Sequence, residues 1–289
     1  NTICIRDSEL NVNFEEKFSP ILLPDTFSGG EKVEDCVVHV VKDENDGIEE
    51  AYIERNEQFH GQYRLYYPSG ELKGEMYYQN GQLHGPSTYF SAEGKELSKS
   101  WFVNGKIEGK CLRYYSSGST YSIQRFVSGA EEGMQEYFFE DGAKKTLMEY
   151  ERGRLHGKVL LYYPDGKNKR EVGFSKGKKK GWEKQWYEHG GPMLESEYNG
   201  ERVCGKHRRW HPSGQLATEV DYYEDHLGHF DIRQWNVDGL LQREGVYADD
   251  DTYSLKIWNS EGKLVEDRKG HWNGEKLVLL PIECPSGKN

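Results

Sequence analysis

The sequence predicts an all-β chain: an elongated, single-layer, twisted antiparallel sheet built from tandem 24-residue β-hairpin repeats. Three observations carry that prediction. Glycines recur in register at a spacing of 24, and aromatic residues recur between them in strand-length segments. The composition is also too polar for a thick two-layer core and too aromatic for disorder, with 35% hydrophobic residues, a mean hydropathy of -0.91 and 20 tyrosines.

The glycine register comes first. Gly61, Gly85, Gly109, Gly133, Gly157, Gly181 and Gly205 open successive repeats. A second glycine follows nine residues later in each, from Gly70 to Gly214, and a third falls at Gly81, Gly105, Gly129, Gly153 and Gly177. Two short segments lie between them. The first ends in rings, as in Tyr66-Tyr67, Tyr114-Tyr115, Tyr162-Tyr163 and Trp186-Tyr187; the second ends at Tyr78, Phe102, Phe126, Tyr150, Phe174, Tyr198 and Tyr222. Aromatic-rich segments of five to eight residues bounded by turn residues read as strands. Pro68-Ser69-Gly70 and Asn80-Gly81 supply the positive φ that tight hairpins need. The repeat-opening glycine is read as a turn residue too, and so is the residue before it.

The pattern drifts but persists at Trp235…Gly239, Trp258…Gly262 and Asn273-Gly274, and a degraded first repeat begins near residue 37. The organisation expected is an amino-terminal cap or extension at 1–36, a repeat array at 37–274 of about nine to ten hairpins, and a carboxy-terminal cap or tail at 275–289. Open sheet ends recruit other chains, so the apolar runs Ile3-Cys4-Ile5 and Pro20-Ile21-Leu22-Leu23-Pro24 at one end and Leu277-Val278-Leu279-Leu280-Pro281 at the other are the candidates to cover them, with self-association through sheet edges as the alternative.

These residues resemble the MORN repeats, specifically their variant form common in bacterial proteins. The match is G-x4-Y-[YF]-x2-G-x-L followed by a ring, NG and G, as at Gly61, Tyr66, Tyr67, Gly70 and Leu72, and it covers about three quarters of the chain. The resemblance implies a single-layer antiparallel sheet used as a binding platform. It also points to a branch in which some proteins carry an antitoxin label.

Charge narrows the partners. The net charge is -11, with 15 acids and 5 bases in residues 1–60, so the rest of the chain is nearly neutral. Whole-surface attraction to nucleic acid is therefore not expected, although stacked rings could serve a single strand. Five scattered cysteines without a CxxC indicate neither a zinc site nor a disulfide framework, and a cytoplasmic protein with reduced thiols is expected. No P-loop, GxSxG or HExxH occurs, so no enzyme and no cofactor are expected. His60, His84 and His156 precede an opening glycine at a position held elsewhere by Glu108, Glu132 and Lys180; a shared turn position is not a ligand set.

Two features rise above that background. Residues 158–184 carry nine bases against three acids, including Lys167, Lys169, Arg170, Lys176, Lys178, Lys179 and Lys180. The plain reading is a lysine-guarded turn; the functional one is a docking patch for anionic phospholipid headgroups. The second feature follows from strand alternation, which puts the third and fifth residues after the opening glycine on one face. The last four repeats then give Lys184/Trp186, Arg208/Trp210, Arg233/Trp235 and Lys256/Trp258, a cation–tryptophan ladder that the first half mostly lacks. It is either cation–π packing along the stack or a basic, aromatic-floored groove. The function expected is a non-enzymatic scaffold for a protein or peptide, acidic in character, held on that ladder. Peripheral lipid binding through 158–184 is the alternative.

Overall fold

A computed structural model describes residues 5–7 and 12–14 as backbone and residues 18–224, 228–248 and 251–281 in full. It is all-β, with antiparallel pairing throughout and no helix among the described residues. Of the cysteines, Cys36, Cys111 and Cys204 are free thiols, while Cys4 and Cys284 lie outside the described residues.

The repeat closes its hairpins as its turn residues require. In the repeat opened by Gly61, the strand Gln58–Tyr66 pairs with Leu72–Gln79 from Gly61↔Tyr78 to Tyr66↔Leu72. The connecting loop is held by the amide of Gly70 donating to the Tyr67 carbonyl at 2.8 Å and that of Tyr67 donating to the Glu71 carbonyl at 2.9 Å. The chain then turns back through Asn80 and Gly81, at φ 49° and 77°, a two-residue turn of the hairpin-compatible hand. Asn104-Gly105, Ser128-Gly129, Arg152-Gly153 and Lys176-Gly177 repeat it.

The opening glycine corrects the sequence reading. Gly61 lies inside a strand, not in a turn. The register passes from Tyr52↔Tyr63 to Glu54↔Phe59, so His60, Gly61 and Gln62 face the single residue Ile53. That is a β-bulge, and at φ 95° it takes a left-handed conformation that glycine enters without strain. The same two-residue slip recurs between Lys99↔Leu112 and Trp101↔Glu108, between Val172↔Glu183 and Phe174↔Lys179, and between Ser196↔His207 and Glu197↔Cys204.

The chain divides into two compact units, residues 1–157 with 164–166, and residues 158–163 with 167–289. In the first, Cys36–Lys42, Ile48–Arg55, Gln58–Tyr66, Leu72–Gln79, Gly85–Phe90, Glu96–Val103, Lys106–Tyr114, Thr120–Val127, Gly133–Phe138 and Lys144–Glu151 pair in sequence order. Its core gathers Leu23, Cys36, Val38, Ala51 and Ile53, with Ile21 and Phe27 packed against them. The segment before the first hairpin therefore lies across the sheet. The Ile21 carbonyl accepts from the Gln62 amide at 2.9 Å, the Leu23 amide donates to Gln62 Oε1 at 2.9 Å, and Phe18 is buried between Tyr77 and Trp101. Burying such a ring stabilises the strap by about 1.5–3 kcal/mol.

In the second unit the strands from Asn168–Ser175 to Leu264–Trp272 pair consecutively, and Leu277–Leu279 adds a short last strand. Leu277 folds onto the core of Val220, Phe230, Tyr253 and Leu255. Its Cδ1 lies where a Cβ on Gly245 would meet it at 2.3 Å, so a larger residue there would have to displace the Leu277 side chain.

Candidate functional site

Strand alternation puts consecutive residues on opposite faces, so each repeat commits one face to the row containing its opening-plus-three residue. In the second unit the register threads that row through nine strands: Glu171, Lys184, Glu195, Arg208, Glu219, Arg233, Glu244, Lys256 and Asp267. Acid and base alternate at every step. Arg208 Nε lies 2.7 Å from Glu219, Arg233 Nε 2.9 Å from Glu244, and Lys184 Nζ 3.5 Å from Glu195. Arg233 also reaches back to Glu219 at 4.0 Å, and Lys158 joins the first acid, Glu171, at 2.7 Å. Cross-strand opposite charges stabilise a sheet by about 0.2–1 kcal/mol each, and here each internal member has two such neighbours.

The four predicted cations thus occupy one row as expected, but each is matched by a carboxylate, and the row as a whole is not basic. Trp186, Trp210, Trp235 and Trp258 follow two residues after them and are half-buried. Packing of each cation on its own tryptophan is not found. Among the described residues the cation–π contacts join Lys73 to Tyr67, Lys145 to Phe139, Lys169 to Tyr163 and Lys179 to Tyr198. Carboxylates directly opposite claim Lys184, Arg208 and Arg233 instead. Sequence reasoning found the cations and missed their partners, although each of Arg208 and Arg233 has its acid eleven residues on.

The basic stretch is divided by the same logic. Arg170 and Lys179 each approach the buried carboxylate of Glu183 to 2.7 Å, and Gln185 Nε2 donates to it at 2.8 Å. Burial opposes ionisation of Glu183, but the bonds from Lys179 and Gln185 and the charge of Arg170 outweigh it and hold the carboxyl below its ordinary range. Lys169 lies over the Tyr163 ring, and Lys167 Nζ donates to the Glu188 carbonyl at 3.4 Å. Lys176, Lys178 and Lys180 stand exposed at and beside the turn.

Other candidate chemistry resolves into structure. Ser196 Oγ lies 2.6 Å from His207 Nδ1, but the serine is fully buried and is no nucleophile. No cluster of three or more His, Cys, Asp or Glu is placed to hold a metal among the described residues. The residue before the opening glycine has a different task in four repeats. His60 and His84 Nδ1 accept the amides of Asn80 and Asn104 at 3.3 Å, and Glu108 and Glu132 accept those of Ser128 and Arg152 at 2.6 and 2.7 Å. Each caps the return turn of its own repeat, His60 and Glu108 from within a strand and His84 and Glu132 from the single residue between two strands.

A model of the MORN repeat variant matches residues 59–80, 155–175 and 203–225. The chain carries variant MORN repeats. Their bulged strands, return turns and paired rings recur in the segments between those matches. MORN repeats are in general modules for binding proteins or membrane lipids, and are in general non-enzymatic. No curated protein matches the chain. Solved structures that do include a TcdB2-TccC3-Cdc42 crystal structure, at 11% identity over 83% of this chain and 15% of that one, with a TM-score of 0.18. A Photorhabdus luminescens Tc holotoxin pore matches at 10% identity over 82% and 14%, with a TM-score of 0.18. A putative 6-phosphogluconolactonase from Bacteroides uniformis matches at 12% identity over 83% and 84%, with a TM-score of 0.16. The chain spans about 15% of the first of these, and at such scores none bears on function.

Proposed function

We propose that this MORN-repeat chain is a non-enzymatic scaffold that holds a protein or peptide on the charged face of its carboxy-terminal repeats. The contact residues are Lys184, Trp186, Arg208, Trp210, Arg233, Trp235, Lys256 and Trp258. The observation that supports this most is the row itself: half-buried tryptophans recur once per hairpin, three of them beside a cation held in place by an ion pair. Hairpins advance about 10 Å each, so equivalent contacts at that interval suit an extended segment better than a compact molecule. Tryptophan and arginine dominate binding energy more often than lysine, and side chains fixed beforehand lose less entropy on binding. Acidic groups of a partner would engage Arg208 and Arg233 in competition with Glu219 and Glu244, which favours a segment of mixed charge over a uniformly acidic one. An antitoxin-like role is the form this takes where the partner is a toxin.

The test is affinity capture from the native source, with binding of the recovered partner then measured against wild type and Trp210→Ala/Trp235→Ala. A drop in affinity with an unchanged circular dichroism spectrum supports the reading. Equal affinity overturns it.

Exposure of Lys176, Lys178 and Lys180 favours one second reading, peripheral binding to anionic headgroups, at about 1 kcal/mol per base near the surface. Flotation with acidic liposomes at low salt, lost on Lys178→Glu/Lys180→Glu, is its signature. No flotation at low salt removes it.

A further inference from the structure

The first unit contains a cavity of about 450 Å³ between the segment that carries Phe18 and the segments that carry His60 and His84. That is within the range of about 300–1,000 Å³ typical of small-ligand sites. Its lining includes no Lys, Arg, Asp or Glu, in a chain where 30% of residues are charged. Rings of Phe18 and Trp101, themselves 5.3 Å apart, form part of the wall, and Gln79 and Asn104 add amides.

The two histidines are the informative members. As caps they are replaceable, because Glu108 and Glu132 do the same work in the next two repeats at shorter distances. What a carboxylate cannot do is donate. Because Nδ1 of His60 and of His84 accepts a backbone N–H, the neutral ring carries its proton on Nε2. Burial and the nearby Arg55 charge hold His60 below the ordinary imidazole range, which keeps it neutral at pH 7. The two repeats that line the cavity thus add an N–H donor each, whereas the two repeats beyond carry a carboxyl side chain at that position. His156, which shares the position away from the cavity, faces Glu151 at 3.4 Å instead.

We propose that this cavity binds a neutral sugar residue, its hydroxyls bonded by the imidazole N–H groups of His60 and His84 and by the amides of Gln79 and Asn104, against the rings of Phe18 and Trp101. A hydroxyl both donates and accepts, and so do the two amides, whereas the imidazole Nε2–H only donates. An anionic ligand would find no cation here and a cationic one no carboxylate. The proposal does not depend on the charged face of the other unit.

The test is saturation-transfer NMR and titration of the full chain with glucose, galactose, mannose and N-acetylglucosamine, with glucuronate and glucosamine as charged counterparts. At least one neutral sugar should saturate, and its charged counterpart should bind more weakly. His60→Glu and His84→Glu keep the acceptor that caps the turn and remove the donor. Each should keep the wild-type melting temperature and weaken binding roughly tenfold, with a larger loss in the double variant. The methyl glycoside of the sugar that binds separates a free sugar from a glycan-linked residue, since only the second tolerates the added group. Three results overturn the proposal: no neutral sugar saturates, a charged counterpart binds as tightly as its parent, or the double variant binds like wild type.

Discussion

The phenolic hydroxyl of Tyr187 donates to the main-chain carbonyl of Trp210, 2.8 Å away in the following repeat. The relationship recurs as Tyr163 to Trp186, Tyr115 to Phe138 and Tyr67 to Phe90, at 2.8–2.9 Å, and His211 Nε2 takes the same place against Trp235 at 3.0 Å. Where the second ring of the aromatic pair carries a donor, it is therefore a stitch between hairpins. It satisfies a carbonyl beside the bulge where the ladder skips a residue, as between Arg209 and Trp210.

Tyr187→Phe should lower stability by about 0.5–1.5 kcal/mol, the net worth of one part-buried hydrogen bond, without changing the fold. Phe139 already occupies the equivalent position, so the ring alone is compatible with the repeat. Chemical denaturation of Tyr187→Phe checks this, and an unchanged midpoint would mean that water replaces the hydroxyl.

Much of the fold was legible because its signals are local. The 24-residue glycine register and the Asn-Gly pairs locate the hairpins without any knowledge of neighbours. Gly61 was misread as a turn because a positive-φ residue inside a strand and one in a turn look alike in sequence; only the pairing of Ile53 against three residues separates them. The cation row was legible from alternation, while its counter-charges needed register. Glu219 is on the returning strand of the hairpin that carries Arg208, and nothing short of pairing the strands puts them together. The cavity was not legible, because it depends on Phe18 crossing strands far along the chain. Of the acidic amino-terminal residues 1–60, those before residue 18 lie, apart from the backbone of two short strands, outside the described residues.

Gly85→Ala should unseat the strap. Gly85 holds φ at 115°, and a Cβ there would meet the Phe18 ring at 2.3 Å. Gly118, at φ 93° with nothing within 4 Å of a Cβ, supplies the control in which only backbone strain is felt. Strain alone costs about 1–3 kcal/mol, and loss of the Phe18 contact adds a further part of its burial energy, about 1.5–3 kcal/mol. Thermal melts should therefore place Gly85→Ala below Gly118→Ala. The reverse order would show that the strap contributes little.

Acid should destabilise the second unit in two separate windows. Burial, with Arg209 adding to it, holds His207 below its ordinary value of 6.5, so its contribution is fully present above 6.5 and declines as pH falls towards the lower folded value. Glu183 has a depressed carboxyl, so its contribution is present above 4.5 and is lost as pH falls through its folded value. Melting temperature measured from pH 8 to pH 3 should show both declines. His207→Gln should remove the upper one and Glu183→Gln the lower. A profile flat from 6.5 to 5 in wild type would contradict the buried, neutral imidazole.

Charge reversal at Arg208 separates the structural role of the row from a binding role. Arg208→Glu places a carboxylate between Glu195 and Glu219, its register partners on either side. Three acids then face one another across three strands where an alternating set stood. Like charges directly opposite destabilise a sheet, and the lost pair is only part-exposed, with Arg208 at 30% and Glu219 at 19% side-chain exposure, so the cost should be about 1–2 kcal/mol. Salt screens that repulsion, so the deficit should shrink between 0.01 and about 1 M as the Debye length falls from about 30 to 3 Å. Arg208→Gln removes the pair without adding a charge and should cost less and respond less to salt. If both variants melt like wild type at every salt concentration, the row contributes nothing to the stack. Any loss of partner capture in Arg208→Gln would then report binding alone.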